Sequence, residues 1–361
     1  EADYRRGLAL APNEASGYEG LAAVLYQIPL RHDEALVALD RARRLDPLEP
    51  RYDVTKAGFL FYGRGDIATA KAILQHTVEG YPQYAPALTR LGELYSWSGE
   101  AAQGIRYFEL ALQLDPASEW ARRELLSSYI DLGEINAAES VRAGGPGNVP
   151  ARALLLQINR HQWRTAGEIA YQALESDTAL AFDEPQIALA LRLDARVSGE
   201  LPAARAALEQ IADLRWSSDD EPVFPELFDM RAALIGVADM LSLEGKDEQA
   251  RRLLRRVLSE DDRAVRDYKR GAMWTRVARA AALSMLGDGD GAIETLKAAE
   301  RDSSLMMKHW MILHLDPSFD SIRRRPEFRR IVAGMERRAS EERHLLDGLR
   351  KEGLVPNRRV K

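Results

Sequence analysis

The chain has 361 residues, 46% of them hydrophobic and 7% aromatic, with 50 Lys and Arg against 56 Asp and Glu and a formal net charge of −6. The absence of cysteine excludes disulfides, thiol nucleophiles and cysteine-based zinc sites. The acidic balance argues against nucleic-acid binding through net charge, and no apolar run approaches the roughly 20 residues that cross a bilayer, so neither nucleic-acid contact nor membrane insertion is expected of this chain.

The predicted elements are helices throughout. Tyr4 to Pro12 reads as the second helix of a unit whose first helix is missing, which leads to the expectation that the chain is a fragment. Residues 15–47, 51–82 and 85–116 follow as three helix-turn-helix units. In the best-formed one, Leu88, Leu91, Gly92 and Tyr95 recur at helical spacing, Ser98-Gly99 makes the turn, and Gly104, Phe108 and Ala111 mark the second helix. Pro116 ends it, because proline cannot continue a helix. Residues 119–143 form a fourth unit around Trp120, Leu125, Leu126, Tyr129 and Ile130, with its turn at Gly133 and Ala138 beyond. The Gly- and Pro-rich stretch 144–149 is the clearest breaker in the chain.

Beyond it the units are longer and less regular. Residues 150–176 pivot near His161-Gln162-Trp163, and residues 184–214 turn at Ser198-Gly199 with Pro202 in the next first turn, where proline is tolerated. Trp216 to Pro225 reads as an acidic loop. Residues 226–260 and 271–301 turn at Gly245 and Gly287. Ala204, Ala250 and Ala292 follow their turn glycines at the same offset as Ala70 follows Gly65, which makes these later pairs degenerate copies of the earlier ones. Asp316 to Phe328 holds two helix starts, and a charged helix over about 326–352 suits a terminal cap. The expected organisation is a regular array over 1–143, a break over 144–149, a degenerate array over 150–302 and a capping segment over 303–361.

Pro12, Pro47, Pro82 and Pro116 are spaced by 35, 35 and 34 residues. A helix-turn-helix recurring at this period resembles the tetratricopeptide repeat. The resemblance is carried by Leu88, Leu91, Gly92, Tyr95, Gly99, Phe108, Ala111 and Pro116, with Gly104 where alanine is usual. It recurs at Gly58, Phe61, Gly65, Ala70, Leu74 and Pro82, and at Tyr18, Leu21, Ala35, Leu39, Ala42 and Pro47, with one extra residue near Ile28-Pro29. It implies an all-α, right-handed superhelical solenoid of about eight helix pairs, each touching mainly its neighbours. Asp316 to Phe328 resembles the segment that closes such arrays in bacterial regulators carrying a winged-helix or adenylate-cyclase domain upstream. The implied function is a non-catalytic protein-interaction or sensory module of a bacterial regulator. The alternative is a periplasmic or membrane-associated assembly scaffold for envelope biogenesis or polysaccharide export, and a third is an enzyme that borrows the repeat scaffold. Bacterial cytoplasm and periplasm both fit.

The residues that could carry chemistry have plainer readings. His32, His76, His161, His309, His314 and His344 form no HExxH or close carboxylate pattern, so no metal and no cofactor are expected. Gly287 to Gly291 lacks the ligands and the twelfth-position Glu of a calcium loop and the Lys-Ser/Thr of a phosphate loop; it lies where a turn is due, with Asp290 available to cap the next helix. Asp219-Asp220-Glu221 reads as a solvated loop and Arg323-Arg324-Arg325 as surface or capping cations.

In the tetratricopeptide family the first helices of the pairs line the concave side. Here they carry Tyr52, Thr55, Phe59 and Tyr62, then Thr89, Arg90, Glu93, Ser96 and Trp97, then Trp120, Arg123, Ser127 and Asp131. The family's clamp for a C-terminal carboxylate needs Lys and Asn four apart. Thr55-Phe59, Thr89-Glu93 and Arg123-Ser127 stand there instead, so binding of chaperone tails is not expected. Tyr52, Phe59, Tyr62, Arg90, Glu93, Trp97, Arg123, Ser127 and Asp131 are expected to line a groove for an extended or helical peptide of a protein partner, with Arg90 and Arg123 holding carboxylates. Packing between repeats is the competing role for Tyr52, Phe59 and Trp120.

Overall fold

The computed structural model describes residues 1–28, 31–143, 150–175, 180–225, 230–267, 275–301 and 313–358. From residue 51 onward the described helix pairs share one local event, a left-handed residue that stops the first helix. Gly65, Gly99, Gly133, Gly199, Gly245 and Gly287 all have φ between +68° and +87°, a region that glycine enters without a Cβ clash. At Gly99 the turn is closed by Gly99 N donating to the Ser96 carbonyl and Glu100 N to that of Tyr95, a helix C-cap that satisfies two orphan carbonyls. His161, at φ +58°, makes the same two bonds, to Ile158 directly and through Gln162 to Gln157. A bulky residue thus stands where the pairs turning at Gly65, Gly99, Gly133, Gly199, Gly245 and Gly287 use glycine, at the pivot expected there.

The chain falls into two compact units. Glu1–Ser128 and Glu342–Asn357 belong to one, Tyr129–Arg263 and Thr275–Glu341 to the other. The first holds α1 (Ala2–Leu10), α2 (Ala15–Tyr26), α3 (His32–Leu45), α4 (Arg51–Phe59), α5 (Ile67–Gly80), α6 (Ala85–Trp97), α7 (Ala101–Leu114) and most of α8 (Glu119–Asp131). From α1 to α7 each helix packs on the next, and α4 also lies against α6. This is the neighbour-to-neighbour packing of an all-α solenoid. Pro29 and the 144–149 break lie outside the described residues.

The α6–α7 crossing shows what the small residues do. A Cβ on Gly92 would sit 2.9 Å from the Phe108 ring and 3.0 Å from the Gly104 carbonyl, and a Cβ on Gly104 would sit 2.9 Å from the Gly92 carbonyl. The two backbones touch, so both positions need glycine. Leu88, Leu91, Phe108 and Ala111 close around the crossing, each at most 2% exposed.

One departure from regularity bears on the site. From Pro47 to Gly65 is 18 residues and from Pro82 to Gly99 is 17, whereas both glycines precede the next proline by 17. The extra residue of the 51–82 unit therefore lies before its turn. It is absorbed in a π-helical turn, Leu60–Arg64, at the end of α4, the widened turn that one inserted residue produces.

The second unit holds α9 (Ile135–Ala143), α10 (Pro150–Asn159), α11 (Trp163–Glu175), α12 (Leu180–Ser198), α13 (Leu201–Ile211), α14 (Arg231–Leu243), most of α15 (Asp247–Asp267), α16 (Arg276–Met285), α17 (Gly289–Arg301) and the first part of α18 (Pro326–Lys351). The expected loop at 216–225 is instead a minimal hairpin, β1 (Arg215–Trp216) antiparallel to β2 (Pro222–Val223). Trp216 Nε1 donates to Glu209 at 3.1 Å, and Asp220 accepts from Gln249 at 3.4 Å, which ties the turn to α13 and α15. Cross-strand bonds and these two anchors outweigh the local preference of a Ser-, Asp- and Pro-rich stretch for open loop.

The segment before α18 is pinned by charge. Arg192, 3% exposed, donates from Nε to Asp239 at 3.0 Å and from Nη2 to Ser318 at 2.8 Å, with Asp316 3.0 Å from Nη1. Arg196 supplies the second cation, 2.6 Å from Asp239. Burial opposes the charge on Arg192, but Asp316 and Asp239 outweigh it and leave its pKa above the usual value. Two cations against two carboxylates, hydrogen-bonded throughout, is the arrangement in which buried charge is tolerated.

Candidate peptide-binding face

The expected site residues separate into core and face. Tyr52 is 2% exposed; its ring packs in the core, which corrects its assignment to a groove. Phe59 stacks on Tyr26 at 4.0 Å with 9° between planes, so one of its faces is already covered. Trp97, half-buried, sets its edge against the buried Phe61, with centroids 5.6 Å apart. Ser127 and Asp131 are half-buried on α8; Asp131, its last residue, is counted with the second unit.

Tyr62, Arg90 and Glu93 form one assembly. The π-helical turn carries Tyr62, a residue 36% exposed. Its hydroxyl donates to Glu93 Oε1. Arg90 Nη1 donates to Glu93 Oε2 at 2.5 Å and to the Tyr62 oxygen at 3.2 Å. The Arg90 guanidinium lies over the Trp120 ring, 4.2 Å from its centroid, and 5.2 Å from that of Tyr62. Gly58 lies beside it: a Cβ there would make ordinary van der Waals contact, 3.6 to 3.7 Å, with three guanidinium atoms. Three successive first helices thus contribute to one cluster, α4 through the π-turn, α6 through Arg90 and Glu93, and α8 through Trp120.

The electrostatics follow from burial. Glu93 is 2% exposed, and a carboxylate taken out of water must be paired. Both its oxygens accept hydrogen bonds within the cluster, so its expected role as a groove-lining acceptor is corrected to an internal one. Burial raises the Tyr62 pKa well above the phenol range and the Glu93 charge adds to that. Burial disfavours the Arg90 charge, but Glu93 and Tyr62 outweigh it and its pKa ends above normal. Arg123 donates from Nε to the buried Glu124 at 3.2 Å, which the sequence reading left out. Arg90 Nε is buried without a hydrogen-bond partner.

The other sequence candidates have structural roles. Asp288, not Asp290, caps α17 by accepting from Gly291 N at 2.9 Å. Asp290 instead pairs with Arg325 at 2.5 Å, and Arg323 binds Asp320 and the Asp316 carbonyl, both at 2.7 Å. His32 contacts the Tyr26 carbonyl at 3.1 Å, and His309 lies outside the described residues. Among the described residues no group of three or more His, Asp or Glu is placed to hold a metal, and no helix is long and apolar enough to cross a membrane.

No family model matches the chain. A stretch of 112 residues is 29% identical to the human protein O-mannosyl-transferase TMTC1, covering 29% of this chain and 12% of that protein. Among solved structures, the APC/C hetero-tetramer Cut9–Hcn1 aligns with a TM-score of 0.46 and 16% identity over 85% of this chain and 52% of that one. A tetratricopeptide repeat protein from Parabacteroides merdae aligns with a TM-score of 0.31 and 12% identity, over 86% and 93% of the two chains. The TPR2AB domain of yeast Sti1, solved in complex with pHSP90, aligns with 0.31 and 16% identity, over 80% and 98%. The chain therefore spans a small part of the transferase and about half of the Cut9–Hcn1 chain. The repeat itself rests on the periodic residues and helix pairs described above.

Proposed function

We propose that the chain is a non-catalytic, tetratricopeptide-type interaction module that binds a segment of a protein partner on the face built by Tyr62, Arg90, Trp97, Trp120, Arg123 and Ser127. The observation that carries this reading is the cluster itself. An exposed tyrosine ring and a guanidinium stacked on tryptophan stand side by side on consecutive first helices, and the carboxylate that orients them is spent internally. Rigid aromatics and arginines of this kind dominate protein interfaces.

The test is selection of binding peptides from a random 12-residue display library on the full chain, followed by affinity measurements. Trp97→Ala and Arg123→Ala should each weaken the selected peptides at least about tenfold, equivalent to about 1.4 kcal/mol, with helical circular dichroism unchanged. Undiminished binding by both variants would move the site off this face. The regulator setting rests on the resemblance of Asp316 to Phe328. A winged-helix or cyclase domain encoded upstream of Glu1 would support it, and a lipoprotein or secretion signal there would contradict it.

A further inference from the structure

We propose that residues 342–357 are a built-in ligand of the first unit, and that the surface beneath them takes a partner's amphipathic helix of the same pattern, an acidic residue followed at i+4 and i+7 by leucine. This goes beyond the candidate face and does not rest on it. α18 is one continuous helix, Pro326–Lys351, yet its residues pass from the second unit to the first between Glu341 and Glu342. Within the first unit, Glu342 Oε2 accepts a hydrogen bond from Ala102 N at 2.9 Å. Ala102 is the second residue of α7, and its N–H is one of the four that a helix start leaves without an internal acceptor. A carboxylate at that place also meets the positive end of the helix dipole. α7 does not supply this acceptor itself: its N-cap residue Glu100 makes no capping bond and turns to Ser98 and Lys71 instead.

Leu346 and Leu349 lie one and two turns beyond Glu342 and share its face of the helix. They are 0% and 9% exposed, whereas Leu345 is 58% exposed. The helix stops at Gly353, with φ +74°; Gly353 N donates to the Arg350 carbonyl and Leu354 N to that of Leu349, a left-handed cap. Val355 beyond it is buried again. An acid and two leucines at i, i+4 and i+7 are the anchors by which a helix is read in a groove. The hold is small enough to release. Leu346, Leu349 and Val355 are the buried apolar side chains of the segment, and segments with few of these open at the low end of the stability range. Once the segment leaves, the Ala102 N–H and the buried methyls of Ala101 and Ala102 lose what Glu342 and its leucines supplied. A helix offering an acid and two leucines restores both, whereas one with a cation in place of the acid faces the positive end of α7.

The probe is a fluorescent synthetic peptide of residues 342–357, measured by anisotropy on the full chain. It should bind at least about tenfold more tightly to the chain carrying Leu346→Asp with Leu349→Asp, whose own segment is released, than to the wild type, where that segment competes from its place. In the peptide, Leu346→Ala or Leu349→Ala should each lose at least about tenfold. Glu342→Gln should lose about threefold or more, because a charge-assisted bond becomes a neutral one, and Leu345→Ala should change nothing measurable. Amide exchange gives a reading on the wild type alone: residues 342–351 should exchange at least about tenfold faster than residues 328–341 of the same helix. No binding to the released chain, or binding indifferent to Glu342, Leu346 and Leu349, would overturn the proposal, as would equal protection along all of α18. Wild-type dimers that dissociate in the Leu346→Asp, Leu349→Asp chain would overturn it in favour of a second copy as the occupant. The probe is the chain's own segment, so its failure leaves the candidate face to be decided by the library peptides.

Discussion

At the residue scale, two side chains sit in settings that can be read out directly. Tyr62 is about one-third exposed and has its hydroxyl against Glu93. A phenol ordinarily ionises near about pH 10; here burial and then the Glu93 charge hold the neutral form. The sign is that of a raised pKa: the group's contribution to stability is present below the unfolded value and is lost as pH rises through the folded one. In a titration of 13Cζ-labelled tyrosines, the resonance absent from Tyr62→Phe should stay unshifted while the exposed tyrosines ionise. A normal titration of that resonance would remove the hydroxyl from Glu93. His161 offers the second test. Its φ of +58° costs an L-residue about 1–2 kcal/mol, which glycine avoids at the expense of unfolded-state entropy. His161→Gly should therefore raise the urea midpoint of the second unit slightly. A fall would mean that its contact with the Trp163 ring, 4.9 Å away, outweighs the backbone term.

At the scale of the element, the crossing of α6 and α7 and the ion network under the α18 segment are the sensitive places. Gly92→Leu must displace Phe108 and the Gly104 backbone, and overpacking of this kind costs about 1–3 kcal/mol; an unchanged thermal midpoint would put Gly92 outside the crossing. Asp239→Ala leaves Arg192 buried with one anchor gone and should cost about 3–5 kcal/mol, whereas the joint replacement Arg192→Met with Asp239→Leu should cost less than Asp239→Ala alone. Equal losses would show the network to be structurally idle. These elements also mark what the sequence discloses. Turn glycines, spaced prolines and small crossing residues are local requirements of chain geometry, so helices, phase and turns were legible from them, down to the pivot at His161. The Arg192 network was not, because its members lie 47 and 126 residues apart and pair only through tertiary packing. The π-turn left a trace, one residue too many before Gly65, that the proline spacing alone did not locate. The candidate face was legible as a set of residue types at helical spacing. Which of them are spent on one another was not: burial of Tyr52 and of Glu93, and the stacking of Arg90 on Trp120, are set by neighbouring pairs.

At the scale of the molecule, stability in such an array is a sum of pairs and of interfaces between neighbours. A defect at Gly92 should therefore raise amide exchange in α6 and α7 while leaving α14 to α17, in the other unit, near their wild-type protection, as expected of locally opening segments. Uniform loss of protection would show one cooperative block instead. The same measurement tests the binding face most directly when made on the full chain with and without a selected peptide. Added protection should concentrate in residues 51–64, 85–97 and 119–128, the first helices that carry Tyr62, Arg90, Trp97, Trp120 and Arg123, and should fall in Arg123→Ala at a peptide concentration near the wild-type Kd. Protection confined to residues 150–301, with these helices unchanged, would contradict the assignment of the site to this face.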